Sequence, residues 1–239
     1  MRNYQACILS SKALYGYLTL FFFSLQFTRI YSFNVGTIIF GKAPESLKPP
    51  LDLLEGSNLG KEGTELKRCY KASEDGFSAV NFHKCVDGKG SAIVIALSRT
   101  GSVFGGYNPL GWRSSDDYSA STNAWLWFDG GRSNVKVPIL QGGNAAVFDY
   151  ATGGPCFGSS DLIIGSPKAA VMGGFAGPDM EDVSINAGDL RECMSDLGGA
   201  YEFVDGWPCR GKCSLVEVEV YVNANVESLG NAGGGWWPF

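Results

Sequence analysis

Short apolar runs separated by pairs of glycine are the feature that most constrains how this chain can fold. Glycine accounts for 33 of the 239 residues, about twice the usual share of roughly 7%. The pairs stand at positions 105/106, 130/131, 142/143, 153/154, 173/174 and 198/199. There is no Gly-X-Y period and apolar runs lie between the pairs, so the pattern predicts many short strands joined by tight turns.

The apolar runs have the length and periodicity of β-strands. They lie at residues 92–97, 103–107, 124–128, 135–139, 145–149, 161–164 and 215–222. In the last run, LVEVEVYV, apolar and acidic residues alternate, which predicts one buried face and one face in water. At least seven strands favour a mainly β fold of the α+β type, an antiparallel two-sheet β-sandwich with a few short helices, because antiparallel pairing needs no crossover helices.

The stretch DGFSAVNFHKCVDGKG at residues 75–90 is the main exception to the strand pattern. Residues 73–75 supply an acceptor and negative charge suited to a helix start, and apolar residues follow near helical spacing. Residues 86–90 predict the end of this helix and a turn into the next strand. The stretch contains the only histidine of the chain, His83, which we expect on the rim or surface of the domain.

Charge and cysteine content exclude several classes of function. The chain has 19 basic and 24 acidic residues, a net charge of −5, and no basic run that could follow a phosphate backbone, so we expect no nucleic-acid partner. The seven cysteines form no compact array, and we expect most of them to be reduced, with no metal and no cofactor. Cys209 and Cys213 have the spacing of half a zinc site, but only His83 with Cys85 offers a second half.

Composition divides the chain into four parts. They are a poorly defined apolar N-terminal segment (1–41), a linker (42–65), the folded domain (66–223) and a glycine-rich tail (224–239). The uncharged run at 13–27 is short for a membrane span of about 20 residues but suits a signal peptide. Secretion or membrane anchoring therefore competes with two other interpretations, a packed β-rich segment and a chain start that belongs to no fold. The linker is predicted to contain one helical turn at 51–54.

Residues 69–112 resemble the opening half of the TLDc domain. Members of that family carry S-x-D-G-F-S, then a phenylalanine and a cysteine, D-G-K-G, F-G-[GA]-[YF] and a tryptophan. The matching positions here are Ser73, Asp75, Gly76, Phe77, Ser78, Phe82, Cys85, Asp87, Gly88, Lys89, Gly90, Phe104, Gly105, Gly106, Tyr107 and Trp112. The second half is similar in order but looser: CMSDLGGAY at 193–201 stands where the family has a C-x-T-F-G-N segment, and the closing W-G-F is replaced.

The resemblance implies a compact β-sandwich of the kind found in oxidation resistance proteins. The family is associated with protection against oxidative stress and, in several members, with binding the peripheral sector of the vacuolar proton-pumping ATPase and promoting its disassembly. The family has no established catalytic residues that could be assigned to positions of this sequence. We therefore expect a non-catalytic interaction module in the cytosol or nucleus, in contact with membranes only through its protein partner.

A thiol-based redox enzyme is one alternative. Cys209 is the best redox candidate, because Arg210 and Lys212 flank it and could lower the pKa of an exposed thiol. A Cys85–His83 pair fails as a catalytic dyad, since residues two apart on a helix point in different directions. A distant thiol, Cys156 or Cys193, would have to reach His83 through the fold.

A secreted carbohydrate-binding β-sandwich is the other alternative. It would use the N-terminal apolar run as a signal and exposed rings such as Trp125, Trp127 or Trp207 as stacking platforms. Trp125 and Trp127 share one face of a strand, and such a stripe usually belongs to a core.

Overall fold

The computed structural model describes residues 45–168 and 186–225. The predicted N-terminal segment 1–41, the glycine pair 173/174 and most of the predicted tail lie outside these residues. Within them the fold is mainly β with few helices, which confirms the predicted class. No helix in this part of the chain is long and apolar enough to cross a lipid bilayer.

The strands of the described residues pair only in antiparallel fashion. They are β1 (Leu66–Lys71), β2 (Ala92–Ser98), β3 (Val103–Asn108), β4 (Tyr118–Ser119), β5 (Trp125–Asp129), β6 (Asn134–Pro138), β7 (Val147–Phe148), β8 (Cys156–Phe157), β9 (Leu162–Ile164), β10 (Glu192–Ser195) and β11 (Gly211–Asn223). All seven predicted strands are present. The pattern missed β4 and β8, which have two residues each, and β1 and β10, which carry charged residues.

The last strand, β11, joins the two parts of the sheet. The strand order is β4-β7-β8-β9-β10-β11-β2-β3-β5-β6, and β1 also pairs with β11. Residues 211–214 of β11 pair with β10, residues 215–222 pair with β2 on one side, and residues 219–223 pair with β1 on the other. A register shift between Leu215 and Glu217 lies near this change of partner.

Two short helices, α1 (Ala72–Asp75) and α2 (Ala79–Val86), occupy the place of the single predicted helix. Gly76, with φ of +98°, ends α1, a backbone angle that favours glycine. The side chain of Ser78 then caps α2 by accepting a hydrogen bond from the Val80 N–H at 3.3 Å, as serine commonly does at this position. The D-G-F-S motif is thus the break between two helices, and the predicted start at 73–75 belongs to the first of them.

The glycine pair at 105/106 lies inside β3 and not in a turn. A Cβ at Gly106 would stand 2.6 Å from Cζ of Phe157 in β8, and one at Gly105 would collide with the carbonyl of Val94. Aromatic and backbone groups from other strands therefore approach β3 too closely for any side chain. The ring of Phe157 places β8 against β3, although the two strands are far apart in the strand order.

The acidic face of β11 is buried, so its predicted exposure to water is wrong. Glu217 and Glu219 are both 0% exposed. The carboxylate of Glu219 accepts hydrogen bonds from the Ser46 hydroxyl, the Leu47 N–H and the Tyr221 hydroxyl. Residues that precede β1 cover Glu219, and the N–H of Ser73 in α1 reaches Glu217. The alternating pattern contained no information about these contacts.

The described part of the predicted linker, residues 45–65, packs against the sheet. Leu54 and Leu59 are buried together with residues of β2, β3 and β5, including Ile93 and Trp125. The predicted helical turn is present as a 3₁₀ turn over Leu51–Leu53. This contact buries the face of β2 opposite to the one that carries Val94, since neighbouring residues of a strand point to opposite faces.

Candidate functional site

His83 is buried, and its predicted position on the rim or surface is wrong. The side chain is 7% exposed, lies on α2 and contacts the ring of Phe82 edge-on with centroids 4.9 Å apart. Its Nδ1 is 2.8 Å from Oδ1 of Asp87, and its Nε2 is 2.8 Å from the carbonyl oxygen of Gly153. The single imidazole of the chain is therefore committed to two internal partners.

The two partners of His83 favour its charged form. A carbonyl oxygen only accepts hydrogen bonds, and so does an ionised carboxylate, so both ring nitrogens donate. Burial is the largest influence on the pKa of His83 and acts to lower it, but the hydrogen bond and charge of Asp87 and the Gly153 carbonyl raise the pKa above its ordinary value. Both hydrogen bonds therefore stabilise the imidazolium form of the ring.

Asp87 connects His83 to Ser114 in an order that does not activate a nucleophile. The hydroxyl of Ser114 donates to Oδ2 of Asp87 at 2.6 Å. In a catalytic triad the imidazole stands between the hydroxyl and the carboxylate and takes the hydroxyl proton. Here the carboxylate stands in the middle, so the serine proton faces a weak base and the imidazole has no free nitrogen.

The loop around Ser114 is fixed by two further aspartates. Oδ2 of Asp149 accepts from the Arg113 N–H at 2.9 Å and from the N–H and hydroxyl of Ser115 at 3.1 and 3.0 Å. Asp116 is buried and accepts from a backbone N–H of the Asp149 segment, at Ala151. The carboxylate of Asp116 thus caps one backbone N–H group.

The motif aromatic residues form the core under this network. Phe82 packs edge-on against Tyr70 and Trp112 at centroid distances of 5.7 and 5.3 Å. Phe104 and Tyr107 are buried in β3. Phe77 is partly buried beneath the guanidinium of Arg191 at 3.9 Å.

The remaining motif positions shape turns and helix ends. The N–H of Ser73 donates to the buried Glu217 carboxylate at 3.0 Å, and Asp75 accepts from the Lys71 N–H at 2.7 Å. Gly88 and Gly90 have φ of +72° and +75°, which confirms the predicted turn. Lys89 and Cys85 lie half-buried beside these turns.

A depression of about 350 Å³ lies between two of the glycine-rich loops. We call its lining the glycine rim; it consists of Leu140, Gln141, Gly142, Gly143, Asn144, Ala145, Ser159, Gly199 and Ala200. The N–H of Leu140 donates to the carbonyl of Ala200 at 2.8 Å, which joins the two loops. Leu140 is 40% exposed at this position.

Asp161 holds one of these loops in place. Its side chain is 0% exposed and accepts hydrogen bonds from four consecutive backbone N–H groups, those of Gly198, Gly199, Ala200 and Tyr201, at 2.9 to 3.2 Å. Backbone amides that converge in this way form a concave anion site, and the carboxylate of Asp161 fills it. The sequence contained no sign of this role of Asp161.

The cysteines depart from the sequence-based expectation at one place. Cys209, the predicted exposed redox thiol, is 1% exposed and forms a disulfide with Cys213, so its predicted exposure is wrong. Cys69, Cys85, Cys156 and Cys193 are free, which agrees with the expectation of mostly reduced cysteines. Burial raises the pKa of the Cys193 thiol to about 12, and neither Cys156 nor Cys193 is a hydrogen-bond partner of His83.

The tryptophans proposed as sugar platforms are buried. Trp125, Trp127 and Trp207 are each at most 4% exposed. The segment around Leu54 covers the first two, and Trp207 packs against Phe104 and Phe128. None of the three presents a ring face to a sugar.

A sequence profile of the TLDc domain matches residues 52–202. The chain belongs to the TLDc domain family. No curated protein matches the chain at a significant level. The match begins inside the predicted linker, at the segment that packs on the sheet of this TLDc domain. It includes the His83 network, Asp161 and the whole glycine rim.

Proposed function

We propose that this TLDc domain is a non-catalytic interaction module that docks on a protein partner through the glycine rim. By family resemblance the partner is a peripheral subunit of the vacuolar proton-pumping ATPase, met in the cytosol or nucleus, and protection against oxidative stress follows from regulation of that enzyme. The observation that carries the proposal is the capture of the 198–201 loop by Asp161, which presents the rim as a fixed surface.

The rim has the properties of a small docking surface. Gly142 and Gly199 are exposed and have no side chains, so a partner can approach the backbone closely. The exposed Leu140 offers an apolar anchor at its edge. Anchors of this type carry much of the free energy of protein association when they enter a pocket of the partner.

A non-catalytic role is supported by the hydrogen bonds and the disulfide that engage the chemically reactive side chains. Both nitrogens of His83 face acceptors, and the hydroxyl of Ser114 donates to Asp87. Cys209 is bonded to Cys213. Each of these groups is engaged inside the fold, which suits a domain that works by presenting a surface.

The proposal includes a two-layer arrangement of the strands. The ring of Phe157 in β8 lies against Gly106 in β3, and residues of both strands belong to one hydrophobic core. Contact between strands so distant in the strand order is what two face-to-face sheets that share β11 would produce.

Co-sedimentation of the full chain with the purified peripheral sector tests the proposed function. Leu140→Asp should weaken binding about tenfold or more, because it places a charge at the anchor. Leu110→Asp is the matched control, since Leu110 is 42% exposed and lies outside the rim. The same titrations on the assembled ATPase should show loss of ATP hydrolysis with the wild-type chain and the control, but not with Leu140→Asp.

Two outcomes would contradict the proposal in different ways. If the wild-type chain neither sediments with the peripheral sector nor changes ATP hydrolysis, the assigned partner is wrong. If both aspartate variants bind like the wild type, or both weaken equally, the partner binds elsewhere and the glycine rim is not the docking surface.

A further inference from the structure

Three cysteine sulfurs meet at the start of β11. Cys193 of β10 lies directly opposite Cys213 of β11 in the antiparallel register. Its sulfur is 3.8 Å from that of Cys209, and the three sulfur atoms lie within 4.8 Å of one another. Cys193 and Cys209 are buried and Cys213 is half-buried. The Cys209–Cys213 disulfide leaves Cys193 as a free third sulfur in contact with it.

The spacing of these sulfurs suits one metal ion. Metal–thiolate bonds are about 2.3 Å long, so three sulfurs arranged evenly around one ion stand about 4 Å apart. The separation of 3.8 Å between Cys193 and Cys209 already has this value. Opening the disulfide lets the Cys209 and Cys213 sulfurs move apart by side-chain rotation, since the Cα atoms are 6.0 Å apart.

We propose that Cys193, Cys209 and Cys213 bind one copper(I) ion when the Cys209–Cys213 disulfide is reduced. Thiolates are the ligands that soft cations such as copper(I) select, and copper(I) accepts three of them. Zinc prefers four ligands, and within the described residues the cluster contains three candidate ligands. The histidine of the chain is occupied by Asp87 and Gly153.

Reduction by a small thiol opens the site. The thiolate of the reductant attacks the sulfur of half-buried Cys213, the S–S bond breaks, and Cys209 leaves as a thiolate. A second reductant thiolate attacks the reductant sulfur of the mixed disulfide and releases Cys213. The balance is one protein disulfide and two small thiols giving two cysteine thiols and one small disulfide. Copper(I) then displaces the protons of the three cysteines to solvent, with no change in its own oxidation state.

Competition with a coloured copper(I) chelator tests the site. The full chain is reduced with a phosphine under anaerobic conditions, freed of phosphine, and titrated into the copper(I)–bicinchoninate complex. The expected result is removal of one copper(I) per chain. Replacing an outer-shell partner of a metal ligand already weakens binding about 10–100-fold, so Cys193→Ser, which removes a ligand, should weaken it by at least about 100-fold.

Matched variants separate this site from other thiols. Cys156→Ser is the control, because Cys156 is an equally buried free thiol on another strand, and Cys7→Ser controls for the cysteine outside the described residues. Both should bind copper(I) like the wild type. Cys213→Ser changes a half-buried position, and near-ultraviolet circular dichroism checks that it and Cys193→Ser remain folded.

Several results would overturn the proposal. The first is an unchanged copper(I) affinity in folded Cys193→Ser or Cys213→Ser, and the second is an equal loss of affinity in Cys156→Ser. The third is copper(I) binding by the oxidised chain that is as tight as binding by the reduced chain. The fourth is zinc binding at the same cysteines that copper(I) does not displace.

Discussion

The Nδ1 of His83 and Oδ1 of Asp87 lie 2.8 Å apart across the last turn of α2. Aspartate one turn after histidine, with a backbone carbonyl on the other ring nitrogen, favours the charged form of the imidazole inside the protein. The motif residue Asp87 thereby acts on the fold through its partner, and the consequence can be measured as a dependence of stability on pH.

We predict that stability declines as pH rises through the folded-state pKa of His83. That pKa is raised above the ordinary value, which is about 6.5. The charged ring therefore contributes fully below the unfolded-state pKa, and the contribution is lost as the folded ring loses its proton. Urea unfolding between about pH 6 and about pH 9 should show this decline in the wild type and a flatter profile in His83→Gln. Parallel profiles would contradict the imidazolium assignment.

Glu219→Ala should destabilise the protein by about 3–5 kcal/mol. The substitution removes the acceptor of three hydrogen bonds. It also removes the negative charge that lies 3.9 Å from the cationic groups of Lys71 and Arg68. Glu192→Ala is the matched control, because Glu192 is an exposed glutamate on β10, and it should change the free energy of unfolding by less than about 0.5 kcal/mol. Equal effects in the two variants would show that the acidic face of β11 is open to water.

Asp161→Asn should destabilise the protein by about 3 kcal/mol or more and weaken binding at the glycine rim. The amide has one acceptor oxygen and no charge, whereas the carboxylate serves four N–H groups with two oxygens, and hydrogen bonds to charged groups are worth about 1.5–3 kcal/mol each. Asp196→Asn, on an exposed side chain nearby, is the control. Hydrogen exchange of the 198–201 amides measures the loop directly, and unchanged protection in Asp161→Asn would refute its role.

Gly106→Ala should cost about 1–3 kcal/mol, the usual penalty for overpacking a core. The new methyl group would stand 2.6 Å from the Phe157 ring. A double-mutant cycle with Phe157→Leu isolates this contact. In the Phe157→Leu background the smaller side chain leaves room for the new methyl group, so Gly106→Ala should reduce the free energy of unfolding much less than in the wild type. An equal penalty in both backgrounds would mean that the glycine is required for a reason other than Phe157.

The sequence predicted strands better than it predicted which faces are buried. The seven apolar runs became strands because periodicity and turn residues act locally. The burial of the acidic face of β11 and of the His83 ring was not predicted, because the residues that contact them come from distant parts of the chain. Ser46 and Leu47 contact the acidic face, and Gly153 contacts His83. One helix was predicted where there are two, because Ser73 and Ser78 are both reasonable caps and the positive φ of Gly76, which breaks the helix, is not visible in the sequence pattern.

The candidate site was partly accessible from sequence. The motif positions were identified by family resemblance, and the glycine pairs at 142/143 and 198/199 marked the loops of the rim. The two loops are held together by the Leu140–Ala200 hydrogen bond and by the hydrogen bonds to Asp161. These contacts join segments that are distant in the chain. The thiol cluster was hidden for the same reason, since Cys193 reaches Cys209 and Cys213 only through the pairing of β10 with β11.

The position of β11 has a consequence for biosynthesis. It is the last of the described strands to be translated, and β1, β2 and β10 all wait for it as a hydrogen-bonding partner. The two parts of the sheet therefore cannot be joined on the ribosome before residues 211–223 leave the exit tunnel. Strands β2, β3, β5 and β6 can pair with one another earlier, but the edges of β2 and β10 that face β11 stay unpaired and accessible to chaperones until β11 is made.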